Sequence, residues 1–306
     1  MFTMKKIILS IVGFVFLSLG TIQAQQLPHY TQYMYNMNIL NPAYAGSKGP
    51  EVISLGILYR NQWYDAPENP KTLTANIHGA FNDNNGIGLS FIKDQYGLIK
   101  QNIITADYSH TLHFAESHLA FGLKAGVNLY NVSNDYYIIH PNDPVLSNNL
   151  NDTRLNLGAG IFYYTDKYYL SISAPNFLAN KFNGGKAYKA TDEIHLFVAG
   201  GYVFDLNDDF KLKPHFLLYN DIGQAIQADL NLNLLLYNRF EVGASYRLQD
   251  SYNFLFNVRL FNTLRLGYSY DMHVSDISYY SSASHEFFLN YDWSPNKKVM
   301  LSPRYF

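Results

Sequence analysis

Hydrophobic and polar residues alternate along much of the chain. In residues 118–130, HLAFGLKAGVNLY, Leu119, Phe121 and Leu123 fall on one face of an extended chain, while Lys124 falls on the other. This run is longer than the roughly 5 to 6 residues of an ordinary soluble strand, and it covers the ~9 to 11 residues that cross a tilted bilayer. The pattern predicts a membrane-spanning strand with one face toward lipid.

Turn-forming residues divide the chain into about fourteen such strands. Six connections are short and carry Asn, Asp or similar turn residues, at NDNN, AES, TDK, DLNDD, NR and NT. Seven other connections are expected near residues 61–70, 94–100, 132–152, 175–191, 220–224, 249–251 and 274–282. Short turns that alternate with longer loops, together with an even strand number, are typical of bacterial outer-membrane barrels. We therefore predict an all-β fold, a transmembrane antiparallel up-and-down β-barrel of about 14 strands.

The charged residues of the predicted strands share the polar face. The opposite face carries apolar rows such as Ile226, Leu230 and Leu232. A soluble β-sandwich shows the same alternation with its apolar rows hidden inside, so strand length favours the membrane barrel. Lys71 and Lys93 fall in the apolar register, but both lie at strand ends, where a charge costs roughly 0 to 1 kcal/mol. The charges expected to point inward are Asp107, Lys124, Arg154, Glu193, Lys211, Lys213, Asp229, Glu241, Arg247, Arg259, Arg265, Asp271, Glu286 and Asp292.

Aromatic residues flank the short turns. In an outer-membrane barrel, aromatic rings collect where hydrocarbon meets water, so these residues are expected to form the interfacial girdle on the periplasmic side. Tyrosines beside turns also occur in soluble β proteins, which is the simpler interpretation. The rings are Phe81, Phe114, Tyr163, Tyr164, Tyr168, Tyr169, Phe204, Phe210, Tyr237, Phe240 and Phe261.

Residues 1–24 have the pattern of a secretory signal peptide. Lys5 and Lys6 precede the apolar stretch 7–19, and Ala24 supplies the small residue expected at a cleavage site. A retained anchor is the alternative, but ~13 apolar residues fall short of the ~20 that span a bilayer as a helix. We expect cleavage after Ala24 and export to the outer membrane.

The charge balance argues against nucleic-acid partners. The 22 Lys and Arg residues nearly match the 24 Asp and Glu residues, which gives a formal net charge of −2. Charged residues make up 15% of the chain, below the roughly 25% of an average globular protein, while aromatic residues reach 16%. This composition is consistent with a surface that is covered largely by membrane lipid.

No catalytic, cofactor-binding or metal-binding site is predicted. Asp107, Ser109 and His113 share one strand face, but neighbouring strand positions do not by themselves assemble a nucleophile, a base and an orienting group. Asn and Asp residues in 140–153 offer oxygen ligands for calcium without the EF-hand spacing, and an ordinary solvated loop explains them equally. An outer-membrane hydrolase assembled from several strands stays an alternative.

Two terminal regions do not follow the strand pattern. The expected organisation is a signal peptide at 1–24, an N-terminal segment at 25–50, the barrel at 51–293 and a C-terminal tail at 294–306. The N-terminal segment contains many large apolar residues, which is unusual for a disordered tail, and a barrel of this size has room inside. We hypothesise that residues 25–50 pack into the lumen or its periplasmic mouth.

Three pieces of the sequence, LPHYTQYMYNMNILNPAYAGS, HEFFLNYDW and SPRYF, resemble the PorP/SprF family of the type IX secretion and gliding machinery of Bacteroidetes. Leu27, Tyr30 and Thr31 are mild departures from the family pattern. The matching positions, which are the candidate site residues, are Pro28, His29, Gln32, Tyr33, Asn41, Pro42, Ala43, Tyr44, Gly46, His285, Glu286, Ser302, Pro303 and Arg304.

The resemblance implies a non-enzymatic outer-membrane barrel without a cofactor. It would help to secrete partner adhesins, or anchor them at the surface, through their C-terminal domains. It would work beside the periplasmic ring or motor components of the secretion system. None of the matching positions is assigned a catalytic role, and a structural role in the barrel is as consistent with them as a contact to a partner. The alternative function is a pore or transporter for small hydrophobic or polar solutes.

Overall fold

The computed structural model describes residues 29–97, 99–132, 150–178, 194–221, 226–281 and 283–294. The expected signal peptide and Glu193 lie outside the described residues. So do most of the C-terminal tail and most of the loop that we considered for calcium.

One antiparallel sheet makes up almost the whole fold. Its strands are Ile53–Asn61 (β1), Lys71–Ala80 (β2), Asn85–Tyr96 (β3), Ile99–His113 (β4), His118–Val132 (β5), Leu150–Tyr164 (β6), Tyr168–Ala174 (β7), His195–Tyr202 (β8), Phe204–Asp205 (β9), Phe210–Asp221 (β10), Gln227–Leu236 (β11), Phe240–Arg247 (β12), Ser251–Arg259 (β13), Leu264–His273 (β14) and Ala283–Trp293 (β15). β8 and β9 both pair with β10 and are separated only by Val203, so together they count as one strand of the barrel wall.

The sheet closes on itself as a barrel of fourteen strands. Each strand pairs with its neighbours in the sequence, and β15 pairs with β1 over nine residue pairs, from Ile53 opposite Trp293 to Asn61 opposite His285. The predicted all-β antiparallel up-and-down barrel is therefore confirmed. Among the described residues, no helix has the length and hydrophobicity to span a membrane.

The connections alternate between two ends of the barrel. The short turns, residues 81–84, 114–117, 165–167, 206–209, 237–239 and 260–263, lie at the end where β1 begins and β15 finishes, and we call this the short-turn end. The opposite end is the long-loop end, although its connections at 97–98 and 248–250 are also short. With β8 and β9 counted as one strand, strand lengths range from 7 residues in β7 to 15 in β4, β5 and β6, a wider spread than the sequence pattern suggests.

The two faces of the wall are segregated as the alternation predicts. Leu230 and Leu232 are 56% and 51% exposed on the outer face. Asp107 and Lys124 are buried on the inner face and pair with each other at 2.9 Å. The exposed apolar rows therefore face lipid, and the ionic residues face the lumen. Lys71 is exposed on the outer face at the end of a strand, as expected.

Two of the rings expected in the interfacial girdle point inward instead. Tyr164 and Tyr169 are 5% and 4% exposed, and both lie within 6 Å of the Phe162 ring inside the barrel. Their neighbours Tyr163 and Tyr168 occupy the outer face. The physical reason is the two-residue period of a strand, because adjacent positions must point to opposite faces.

Candidate functional site in the barrel lumen

Residues 29–50 form a chain of short turns inside the barrel, and we call them the lumenal segment. Nearly every side chain from Tyr30 to Lys48 is buried. The segment contains a 3₁₀ turn at Tyr33–Tyr35, one turn of α-helix at Met37–Leu40 and a 3₁₀ turn at Pro42–Tyr44. Its apolar side chains form nearly half of the hydrophobic core of the described residues, and the wall supplies the rest.

The sequence at Asn41 and Pro42 explains the local bend. The side-chain oxygen of Asn41 accepts a hydrogen bond from the backbone N–H of Ala43 at 2.9 Å, and Pro42 occupies the first position of the turn, where a proline loses no hydrogen bond. Gly46 then adopts a φ of +75°, a conformation that glycine reaches at little cost. These residues end the helical turns and lead the chain toward β1.

At the long-loop end, a carboxylate of the wall holds the lumenal segment. Glu286 of β15 accepts the backbone N–H groups of Thr31 at 3.0 Å and Gln32 at 2.8 Å. The Thr31 hydroxyl donates to Asp271 of β14 at 2.7 Å. Arg60 of β1 lies 2.7 Å from Asp271 and 3.1 Å from Glu286. One buried cation therefore lies between the two acids that bind the segment and offsets part of their negative charge.

In the middle of the lumen, Tyr35 contacts four strands, the fourth being β10, whose Lys213 ammonium lies 5.6 Å from the centroid of its ring. Its hydroxyl donates to Glu241 of β12, which also pairs with Lys213 of β10 at 2.8 Å. Its ring stacks on Phe288 of β15 with centroids 4.8 Å apart, and the Arg265 guanidinium of β14 lies 4.7 Å from the ring centroid. Tyr35 thus joins a stacking contact, a cation–π contact and a charge-assisted hydrogen bond.

Three asparagines attach the segment to the other side of the wall. Asn36 bonds to β2, Asn38 to β3 and β4, and Asn41 to β6 and β7. Their partners, at 2.8 to 3.2 Å, are Thr74 and Asn76, Ser90 and Asp107, and Ile161 and Ser171. An amide side chain both donates and accepts a hydrogen bond, so it can pair with the hydroxyl, amide, carbonyl and carboxylate groups that the wall presents here.

At the short-turn end, the backbone of the lumenal segment touches the wall. A Cβ added at Gly122 of β5 would lie 2.1 Å from the backbone nitrogen of Ala43, so only glycine fits there. The Lys48 ammonium pairs with Asp292 of β15 at 2.7 Å. Burial lowers the pKa of Lys48, and the charge of Asp292 opposes that effect.

The order of these contacts gives the direction of the segment. Thr31 bonds to Glu286 and Asp271, which lie near the long-loop ends of their strands, whereas Lys48 bonds to Asp292 at the short-turn end of β15. The chain therefore crosses the lumen from the long-loop end to the short-turn end and continues directly into β1.

His29 begins the described chain beside charged residues of the wall. Its ring lies 5.0 Å from the Tyr219 ring. Burial lowers the pKa of His29 from 6.5 to about 3, and the positive charges of Arg247 and Arg60 add to the effect, while Asp250 opposes it. The imidazole is therefore neutral at ordinary pH.

The structure brings most of the predicted site residues together. Those from His29 to Gly46 lie in the lumenal segment, and Glu286 contacts it from the wall. His285 does not join them, because it points to the outer face, where its Nδ1 lies 2.8 Å from the Tyr268 hydroxyl. The positions outside the described residues are Pro28, Ser302, Pro303 and Arg304.

Sequence reasoning missed several residues that attach the segment. Tyr35, Asn36, Asn38 and Lys48 make wall contacts as close as those of the predicted positions. A signal was present, since asparagine is rare among large apolar residues of a core and recurs within this short segment. Among the described residues, no group of three or more His, Asp or Glu side chains is arranged to hold a metal ion.

An apolar outer wall, an ionic inner wall and an internal N-terminal segment together define a membrane β-barrel of the outer-membrane type. Over residues 22–291, the chain matches the family described as type IX secretion system membrane protein PorP/SprF. The protein belongs to this family.

Solved outer-membrane barrels share the fold. The CymD monoaromatic hydrocarbon channel is 10% identical, with 90% of this chain and 96% of that chain covered and a TM-score of 0.51. A FadL homologue from Pseudomonas aeruginosa is 12% identical, with 88% and 95% covered and a TM-score of 0.49. Omp33 from Acinetobacter baumannii is 9% identical, with 79% and 96% covered and a TM-score of 0.45. A comparison with curated proteins finds no significant match.

Proposed function

We propose that this protein is a non-enzymatic outer-membrane barrel that assists the secretion or surface anchoring of partner adhesins through their C-terminal domains. Its partners would be outer-membrane lipid, the C-terminal domain of a secreted adhesin, and periplasmic ring or motor components of the type IX secretion system. Membership of the PorP/SprF family supports this proposal. We also propose that residues 1–24 are removed as a signal peptide during export.

The observation that carries the proposal is the occupied lumen. A conducting pore needs a continuous aqueous path, whereas here the lumenal segment crosses the barrel and bonds to strands on all sides, from β2 to β15. Withdrawing it would expose the buried side chains of Tyr33, Met34 and Met37 to water. The protein would therefore act through its loops and outer wall and not by passing solutes.

The alternative is a pore or transporter for small hydrophobic or polar solutes. The similarity of the fold to the CymD channel is the observation that favours it. Conductance of the purified protein in planar bilayers separates the two functions. We expect the wild-type protein to show no steady conductance, and regular channel steps at low voltage would support the alternative instead.

A genetic experiment tests the secretion role directly. Deletion of the gene in the native organism is expected to leave a large adhesin inside the cell or free in the medium, and the wild-type gene should restore it to the surface. A tagged protein purified from the complemented strain should bring down that same adhesin in near-stoichiometric amount. An unchanged set of surface and secreted proteins in the deletion strain would contradict the proposal.

A truncation tests the role of the lumenal segment. Deletion of residues 29–46 behind the intact leader should open the barrel and give measurable conductance, because the remaining inward charges are solvated. The change in gel mobility on heating, which reports a folded barrel, serves as the control for folding. A folded truncated barrel that conducts no more than the wild type would contradict a closed lumen.

A further inference from the structure

Two arginines lie side by side on the inner wall at the short-turn end of the barrel, and we call them the arginine pair. Arg259 is the last residue of β13, Arg265 is the second residue of β14, and the two are direct cross-strand partners. Both lie in the inward register and both are partly buried. Like charges directly opposite each other on neighbouring strands are destabilising, so this pair costs stability unless an anion offsets it.

The arginine pair is an exception among the inward charges. Every other lysine and arginine that points inward from the described strands has an acidic partner at 2.9 Å or closer. Among the residues that the structure describes, Arg259 and Arg265 form no such ion pair. The paired cations are Arg60, Lys124, Arg154, Lys211, Lys213 and Arg247.

The charges around the arginine pair do not balance. The pair interacts electrostatically with Lys48 of the lumenal segment and with Lys213 of β10. The acids beside these two lysines are already engaged, since Asp292 pairs with Lys48 and Glu241 pairs with Lys213. Four cations therefore face two acids, and an arginine cannot lose its proton to reduce the surplus. This part of the lumen thus carries two positive charges in excess.

Most N–H donors of the arginine pair have no acceptor. Arg259 donates to the Asn238 carbonyl at 3.2 Å, which is the one hydrogen bond that either guanidinium makes with the described chain. The Arg265 guanidinium lies beside the Tyr35 ring, and its Nη1 atom is buried without an acceptor. Each guanidinium carries five donors in a rigid fork, and leaving a buried donor unpaired is costly. The two groups are therefore positioned for an acceptor that the described chain does not supply.

We propose that the arginine pair binds a phosphate group, which enters from the short-turn mouth of the lumen. A phosphate dianion matches the surplus of two positive charges, and its oxygens can accept hydrogen bonds from two guanidinium forks at once. A carboxylate carries one charge and fits one fork. The site lies on the inner face, away from the wall that meets lipid, so the ligand is a water-soluble phosphate or phosphate ester. This site is independent of the proposed role in secretion.

Isothermal titration calorimetry of the whole folded barrel in non-ionic detergent tests the proposal, with inorganic phosphate as the probe. We expect saturable binding by the wild type and binding at least about tenfold weaker by Arg259→Gln and by Arg265→Gln, because each loses one fork. Lys167→Gln is the matched control and should bind as the wild type does, since it removes an exposed positive charge at the same end of the barrel. Glycerol phosphate in a parallel titration distinguishes a phosphate ester from free phosphate, and either ligand supports the site.

Urea unfolding supplies a second measurement. At constant ionic strength, phosphate in place of chloride should raise the unfolding midpoint of the wild type, because a ligand of the folded state stabilises it. The midpoint of Arg259→Gln/Arg265→Gln should not respond, and the loss of repulsion should keep this variant folded. Equal effects of chloride and phosphate on the wild type would overturn the proposal. So would acetate that binds as tightly as phosphate, or a loss of binding in Lys167→Gln as large as in the arginine variants.

Discussion

The carboxylate of Glu286 accepts the backbone N–H of Gln32 at 2.8 Å, although 254 positions separate the two residues in the sequence. Glu286 lies on β15, the strand that closes the barrel against β1. The closing strand therefore also holds the lumenal segment, so closure of the wall and seating of the segment depend on one another.

Glu286→Gln should destabilise the folded barrel by roughly 2 to 4 kcal/mol. The amide loses the negative charge that binds two backbone N–H groups, and it leaves Arg60 with one acid, Asp271, in a buried site. The measurement is urea unfolding of the refolded protein in detergent. Glu116→Gln, in an exposed short turn, is the control and should change little. Equal stabilities of the two variants would show that Glu286 does not hold the segment.

Gly122→Ala should displace the lumenal segment from the wall. The new methyl group would lie 2.1 Å from the backbone nitrogen of Ala43, and backbone atoms cannot move aside as a flexible side chain can. Protease digestion of the detergent-solubilised barrel should then cut the segment faster than in the wild type. Ala125→Leu, on the outer face of the same strand, is the control. Unchanged digestion of Gly122→Ala would mean that the close contact is relieved elsewhere.

Acid should loosen the lumenal segment at His29. The pKa of His29 is about 3 in the folded protein and 6.5 in the unfolded chain. As the pH falls, the unfolded chain therefore takes up the proton first. The contribution of the neutral His29 imidazole to the free energy of unfolding is fully present above about pH 6.5, and it is lost as the pH falls from there toward 3. Arg247, Arg60 and His195 face the ring and disfavour its charge, while Asp250 favours it.

The stability of the wild type and of His29→Gln should be compared at pH 7.5 and pH 5. Glutamine cannot take up the proton, so its stability should fall less over this interval. Carboxylates that also titrate are common to both proteins and cancel in the comparison. The prediction is wrong if the two proteins lose the same stability.

Cysteine labelling should fix the orientation of the barrel in the membrane. Tyr280 is 76% exposed at the long-loop end, and Asp208 is exposed in a short turn at the other end. A membrane-impermeant maleimide should label Tyr280→Cys on intact cells, and Asp208→Cys after the outer membrane is permeabilised. The cysteine-free wild type gives the background. The reverse pattern would place the long loops in the periplasm.

The strand pattern was predictable because it is local. The inward position of Lys124 and the outward position of Leu230 follow from the two-residue period of a strand, and the turn residues between strands give the strand number. The two-residue period also predicts that Tyr164 and Tyr169 point inward. Their position beside a short turn suggests the girdle instead. The local sequence does not indicate that β7 is short or that β4 is long, since the point where a strand ends depends on the strand beside it.

The sequence by itself determined which residues share a face of each strand, because alternation within one strand needs no information from any other strand. The length of the strands then indicated that the apolar face meets lipid. The tertiary structure alone decided that Arg60 joins Asp271 and Glu286, that Tyr35 reaches Glu241, and that the lumenal segment crosses the barrel from the long-loop end. These contacts join residues that lie far apart in the sequence. They exist because the closed wall creates a buried polar space, in which a partner stabilises a charge or an amide that water does not reach.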